Sequence, residues 1–214
     1  MTYHEGLAKL ESRAKAATVV LWAFIAMSVL TAGGEMLETS GMIDTVAGTD
    51  GLTLAVGLVY IAYTLVFVAS IIGVGMWIHR AHANLHESGA DGLEFTPGWA
   101  VGWYFIPFAN LIKPFQAMRE LWCASHATYD RFGSEAPAEV KAWWGAWIAG
   151  NILSSVSTRV IVMGQGDANS MMFGNALGAA GTVGVLVAAV LLQRIVAGVT
   201  AAQRGGITAA GVFA

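Results

Sequence analysis

Three histidines, His79, His82 and His86, are the residues whose types and spacing most directly suggest chemistry. Offsets of three and seven residues put them within about 60° of one helical face. Neutral imidazoles at i and i+4 can share a transition metal or serve a haem. His126 is a candidate fourth ligand from further along the chain. A competing reading leaves these residues at a membrane–water boundary, with Arg80 snorkelling to headgroups. The single cysteine, Cys123, excludes an internal disulfide, a CxxC motif and a Cys/His finger. No HExxH, GxSxG or Gly-rich phosphate loop occurs, and no carboxylate pair has a spacing that implies acid–base catalysis. The reading is therefore of a non-catalytic protein.

A second polar group, Asn151, Ser154, Ser155, Ser157, Thr158 and Arg159, interrupts an otherwise apolar run. Polar residues at membrane depth usually face a bundle interior and can line a solute path, here through Asn151 and Ser155. They also hydrogen-bond across helices or back to their own carbonyls. Glu35 and Glu38, read as part of the loop after the first apolar stretch, and Asp167, in the loop after the third, are candidate partners for Arg159.

The elements that must position these groups are membrane helices. The chain has 214 residues, 56% hydrophobic and 12% charged, with mean hydropathy +0.62. Soluble domains carry about a quarter charged residues, so this composition excludes an ordinary soluble fold. A net charge of −3 with scattered basic residues argues against a nucleic-acid partner. Crossing the hydrocarbon takes about 20 mostly apolar residues, and stretches near 17–32, 52–78, 143–163 and 176–199 meet that need. The expected fold is all-α, one polytopic bundle over 1–214. Gly174/Gly178 and Ala180/Gly184 form small-xxx-small pairs suited to close packing within the bundle. The eight tryptophans fall mostly near span boundaries, as an aromatic belt would.

A fifth apolar stretch, 97–112, is different. Thr96-Pro97 is a good helix start, but Pro107 interrupts it and Lys113-Pro114 ends it. If it does not cross, ten of the eleven basic residues share one side and only Arg159 lies opposite. If it crosses, that bias vanishes. The positive-inside rule therefore gives four spans, both termini in the cytoplasm of a bacterial inner membrane, and a re-entrant or interfacial 97–112. Residues 114–131 then read as an amphipathic helix on the cytoplasmic face, with Phe115, Met118, Trp122 and Tyr129 on one side and Gln116, Arg119, Glu120 and Asp130 off it. Such a helix lies on the membrane surface or packs under the bundle.

Trp77 to Asn84, the run TPGWAVGW from Thr96, IPFANL from Ile106 and KPFQAMRELW from Lys113 together resemble a bacterial membrane family catalogued as domain of unknown function 4328. The resemblance implies a multi-span membrane protein and carries no established activity. It directs attention to Arg80, Asn84, Asn110, Lys113, Gln116, Arg119 and Glu120. These groups, beside a broken helix, could bind an anionic ligand or lipid headgroup. Alternatively Arg80, Asn84 and Asn110 satisfy the backbone freed by Pro107 and Pro114.

The function expected from all this is an integral inner-membrane protein of unknown activity. Its partners are the bilayer and, as an accessory subunit of a larger assembly, other membrane proteins or a second copy. One alternative is a small transporter or channel gated by 97–113. Another is a haem- or metal-binding protein using His79, His82 and His86.

Overall fold

The computed structural model describes residues 3–44, 48–126, 135–164 and 166–212. The described residues form six α-helices and two 3-10 turns, with no strand. The helices are α1 (Tyr3–Thr39), α2 (Gly51–Glu87), α3 (Pro97–Gly102), α4 (Lys113–Ser125), α5 (Ala138–Met163) and α6 (Ala168–Val212). Four of them, α1, α2, α5 and α6, are long and apolar enough to cross a membrane. Each long helix except α5 runs well past the apolar stretch that marks it in the sequence. Hydropathy locates the hydrocarbon, whereas a helix continues until its capping groups stop it. Asp50 starts α2, its Oδ1 accepting from the Leu52 and Thr53 N–H groups at 3.0 Å each. Asp167 does the same for α6 through Ser170 N.

The long helices pack as two hairpins, α1/α2 and α5/α6, joined along α1 and α6. Small residues allow the closest approach. A Cβ on Gly150 of α5 would lie 2.9 Å from Gly181 O, and one on Gly184 of α6 2.9 Å from Gly150 Cα. Ser157 Oγ donates to Gly174 O at 2.7 Å across the same seam. Gly174, Gly178 and Gly184 thus serve packing between α5 and α6, whereas Ala180 is exposed. The outward faces are apolar. On α2, Leu54, Leu58, Ile61, Leu65, Val68 and Ile72 are exposed, as residues facing lipid should be.

The central segment docks at the end of the bundle that carries both termini. Thr96 caps α3, which gives way to 3-10 turns at Trp103–Phe105 and Ala109–Leu111. Between them Phe108 takes φ +63°, a conformation that side-chain-bearing residues rarely adopt. Trp144 Nε1 donates to Leu111 O at 3.1 Å and holds the second turn to α5. Helix α4 packs under the bundle: Ala117, Met118 and Leu121 are buried in the core, with Phe115 and Trp122 against it. Tyr129 and Asp130 lie outside the described residues. Tryptophans also depart from a simple belt. Trp77, Trp143 and Trp144 belong to the buried core, and Trp77 Nε1 donates to Thr200 Oγ1 at 3.1 Å. An indole can be buried this way when its N–H finds a partner.

Candidate functional sites at the two ends of the bundle

At the terminal end, a buried polar network joins four helices. Arg80 Nε donates to Asn84 Oδ1 at 2.7 Å, and Arg80 Nη2 pairs with Glu87 Oε2 at 2.6 Å. Asn84 Nδ2 donates to Gln203 Oε1 at 3.1 Å. Gln203 Nε2 in turn donates to Ala81 O and to Ser125 Oγ, each at 3.0 Å. Helix α1 lies against this network at Gly6, where a Cβ would come within 2.7 Å of Asn84 Oδ1. Arg80 is therefore not a headgroup-seeking side chain. It is 6% exposed, because Asn84 and Glu87 meet its hydrogen-bonding needs inside the protein. Nor do Arg80 and Asn84 serve the backbone around Pro107 and Pro114. Their partners are side chains of α2 and α6, and neither Glu87 nor Gln203 stood out in the sequence.

Beside this network, Glu120 fastens the loop that leads into the central segment. Its carboxylate accepts from Glu94 N at 2.6 Å and Phe95 N at 3.1 Å. The sequence placed Glu120 off the apolar face of α4. It is nonetheless buried, because the groups it satisfies are backbone N–H groups that no side-chain pattern displays. Burial pushes its carboxyl above the usual carboxylate range, with Glu94 adding to that; the two N–H bonds pull the other way. Lys113 pairs with Glu94 at 3.5 Å and lies over the Phe95 ring. Of the remaining residues, Gln116 and Asn110 are half-buried and Arg119 is exposed. Neither Asn110 nor Arg119 joins these networks, so the seven residues do not converge on one point.

The histidines separate too. His82 is fully buried, with Nδ1 on Ile78 O at 3.1 Å, and its Nε2 approaches the Ala117 backbone without a well-formed hydrogen bond. His79 is exposed, and His86 Nε2 engages Phe95 O at 3.0 Å. His126 bonds its own helix at Trp122 O and stacks on the Trp122 ring. Among the described residues no group of three or more His, Cys, Asp or Glu is arranged to hold a metal.

The opposite half of the bundle holds a polar cavity of about 190 Å³. Ser28, Thr31 and Glu35 line it from α1, Tyr60 and Tyr63 from α2, Ser154 from α5, and Thr182 and Val185 from α6. The sequence reading put Glu35 in a loop. Helix α1 carries it instead, because the helix runs on to Thr39. Tyr60 Oη is buried with no hydrogen-bond partner among the described residues. Asn151 and Ser155, the expected path, do not line the cavity. They are exposed and donate to Trp147 O and Asn151 O on their own helix, each at 2.8 Å. Arg159 is exposed and forms no ion pair among the described residues.

A second cavity, about 260 Å³ and almost wholly apolar, lies between the polar one and the terminal end. Val185 lines both cavities. Phe24 and Phe67 line the apolar one from α1 and α2, and Trp143 and Trp147 from α5. Its remaining wall is the central segment, through Val101, Tyr104 and Phe105.

Four membrane-length helices, a broken segment docked against them and two cavities in line define an α-helical membrane-bundle protein. The family model for the domain of unknown function DUF4328 matches residues 38–201, most of the chain, and the protein belongs to that family. No curated protein and no solved structure matches it.

Proposed function

We propose that this protein is a small membrane transporter whose central segment, 97–113, is the gate at the terminal end. The observation that carries this reading is the alignment of the two cavities. They share Val185 as a lining residue, and Val101, Tyr104 and Phe105 wall the inner one. A segment built from one short helix and two 3-10 turns is supported at membrane depth only where protein or a cavity surrounds it. Pro107 and the positive φ of Phe108 mark the joint at which it can pivot. The terminal side is the cytoplasm of a bacterial inner membrane in this reading, supported by ten of eleven basic residues on that side.

The test uses a lock on the gate. A Cβ on Gly75 lies 3.4 Å from Val101 Cγ1, so cysteines at these positions are within disulfide reach. In a Cys123→Ala background, Val185→Cys is probed in proteoliposomes with a membrane-impermeant maleimide. In the Val185→Cys protein without the 75–101 cysteine pair, labelling is expected from both sides. With the disulfide formed before the probe is added, it is expected from the loop side alone. No terminal-side labelling in either state overturns the gate.

A second reading, an accessory subunit of a larger assembly, is favoured by the exposure of Asn151, Ser155 and Thr158 on a membrane-length helix. Such groups are commonly covered by another helix. Native mass spectrometry after gentle extraction decides it: a partner or second copy held through this face is lost in Asn151→Leu/Ser155→Ala.

A further inference from the structure

We propose that the two cavities together bind a lipophilic ammonium ion, its charged head beside Glu35 and its apolar body past Val185. This names a substrate class for the transport reading, and the site itself does not depend on movement of the gate.

The polarity of the outer cavity selects the sign of the charge. Glu35 is the charged residue among those lining it, and no lysine or arginine joins it there. Three of the six hydroxyls that line it are already committed as donors. Ser28 Oγ donates to Phe24 O at 2.8 Å, Thr31 Oγ1 to Ser28 O at 3.0 Å, and Thr182 Oγ1 to Gly178 O at 3.1 Å. A hydroxyl that has donated its one hydrogen offers only lone pairs. With a carboxylate as its charged group and three hydroxyls that offer only lone pairs, the chamber suits N–H⁺ groups better than anions. Tyr60 Oη, buried and unpartnered, is free to accept as well as to donate. The rings of Tyr60 and Tyr63 add aromatic surface that attracts a cation.

The inner cavity selects the rest of the ligand. Its walls include Phe24, Phe67 and Trp147, and no charged residue lines it. A bare metal ion or methylammonium would leave it without a function. An aryl or alkyl body of roughly 150 Å³ is of the size such clefts enclose.

The experiment measures binding of tritiated 4-phenylbutylammonium to the full chain in detergent. Competitors are 4-phenylbutanol, which has the tail without the charge, and methylammonium, which has the charge without the tail. Each is expected to compete at least about tenfold more weakly than the unlabelled ligand. Glu35→Gln is expected to weaken binding by about tenfold or more, and Glu35→Asp by less. Glu139→Gln, exposed at the start of α5 at the other end of the bundle, leaves it unchanged. Val185→Trp, which fills the junction, weakens 4-phenylbutylammonium far more than methylammonium. The size-exclusion profile reports folding, and the Glu35→Asp comparison keeps the test decisive if Glu35→Gln does not fold. Equal affinity of the alcohol, equal affinity of methylammonium, or indifference to both Glu35 variants overturns the proposal. Glu35-dependent binding without terminal-side labelling of Val185→Cys upholds this site and removes the gate.

Discussion

The two ends of the bundle differ in what their buried polar groups enclose: one another at the terminal end, where His82 Nε2 and Gln116 Oε1 beside the network still lack partners among the described residues, and a cavity at the loop end. At the terminal end, Arg80, Asn84, Glu87, Gln203 and Ser125 are tied to one another, and glycine lets a fourth helix close over them. At the loop end, polar side chains from all four long helices surround space, and one phenol is left without a partner. A satisfied buried network fixes one arrangement of helices. An unsatisfied one weakens the apo protein and stores binding capacity for something that completes it. The contrast is between a network that locks helices together and polar groups that line a cavity.

The contrast can be broken most forcefully at Asn84. Asn84→Leu deprives Arg80 and Gln203 of a partner in a buried setting and is expected to cost about 3 kcal/mol. Denaturant titration in mixed micelles reads the loss. A change below about 0.5 kcal/mol, the ordinary surface value, would mean that the network is no lock. Next comes Glu120→Ala, which strands the N–H groups of Glu94 and Phe95 and costs about 2 kcal/mol by the same titration.

Glu120 also has a pH signature. Its folded carboxyl titrates above that of an ordinary unfolded glutamate, so the folded state binds the proton more tightly than the unfolded state does. Its contribution is fully present below the unfolded value and is lost as pH rises through the raised folded value. Melting temperature should therefore fall over that window, and Glu120→Gln should flatten the slope. A rising slope in the parent, or an unchanged one in the variant, would assign the titration elsewhere.

The smallest expected effect has the opposite sign. Tyr60→Phe removes an unpartnered hydroxyl, so the unliganded protein should gain up to about 1 kcal/mol where Asn84→Leu loses several-fold more. A loss on Tyr60→Phe would reveal a hidden partner and erase the contrast.

Much of the architecture was legible in the sequence. Apolar length gave four helices, and the one-sided basic residues with Pro107 singled out the central stretch as something other than a fifth span. The family signature was legible as well. The sites were less so, for three physical reasons. Glu35 looked like a loop residue because hydropathy measures where the hydrocarbon ends and not where a helix ends. Glu120 looked solvent-facing because its partners are backbone groups. Gln203 lies 119 residues from Asn84, and a pairing at that separation leaves no local pattern. The polar residues of α5 misled for a different reason. Spacing put Asn151 and Ser155 on one face, but only packing against α6 decided that Ser154 is the residue turned inward.

The position of Gln203 has a consequence for biogenesis. Synthesis runs from the N-terminus, so the α1/α2 hairpin with Arg80 and Asn84 enters the membrane long before α6 is made. Until then the Asn84 amide lacks its partner, and the young hairpin exposes an incomplete polar surface that quality-control proteases can sense. The arrival of α6 closes it. A product truncated before residue 203 is therefore expected to be degraded faster than the 214-residue chain in a pulse-chase, even though its first two helices can span the bilayer.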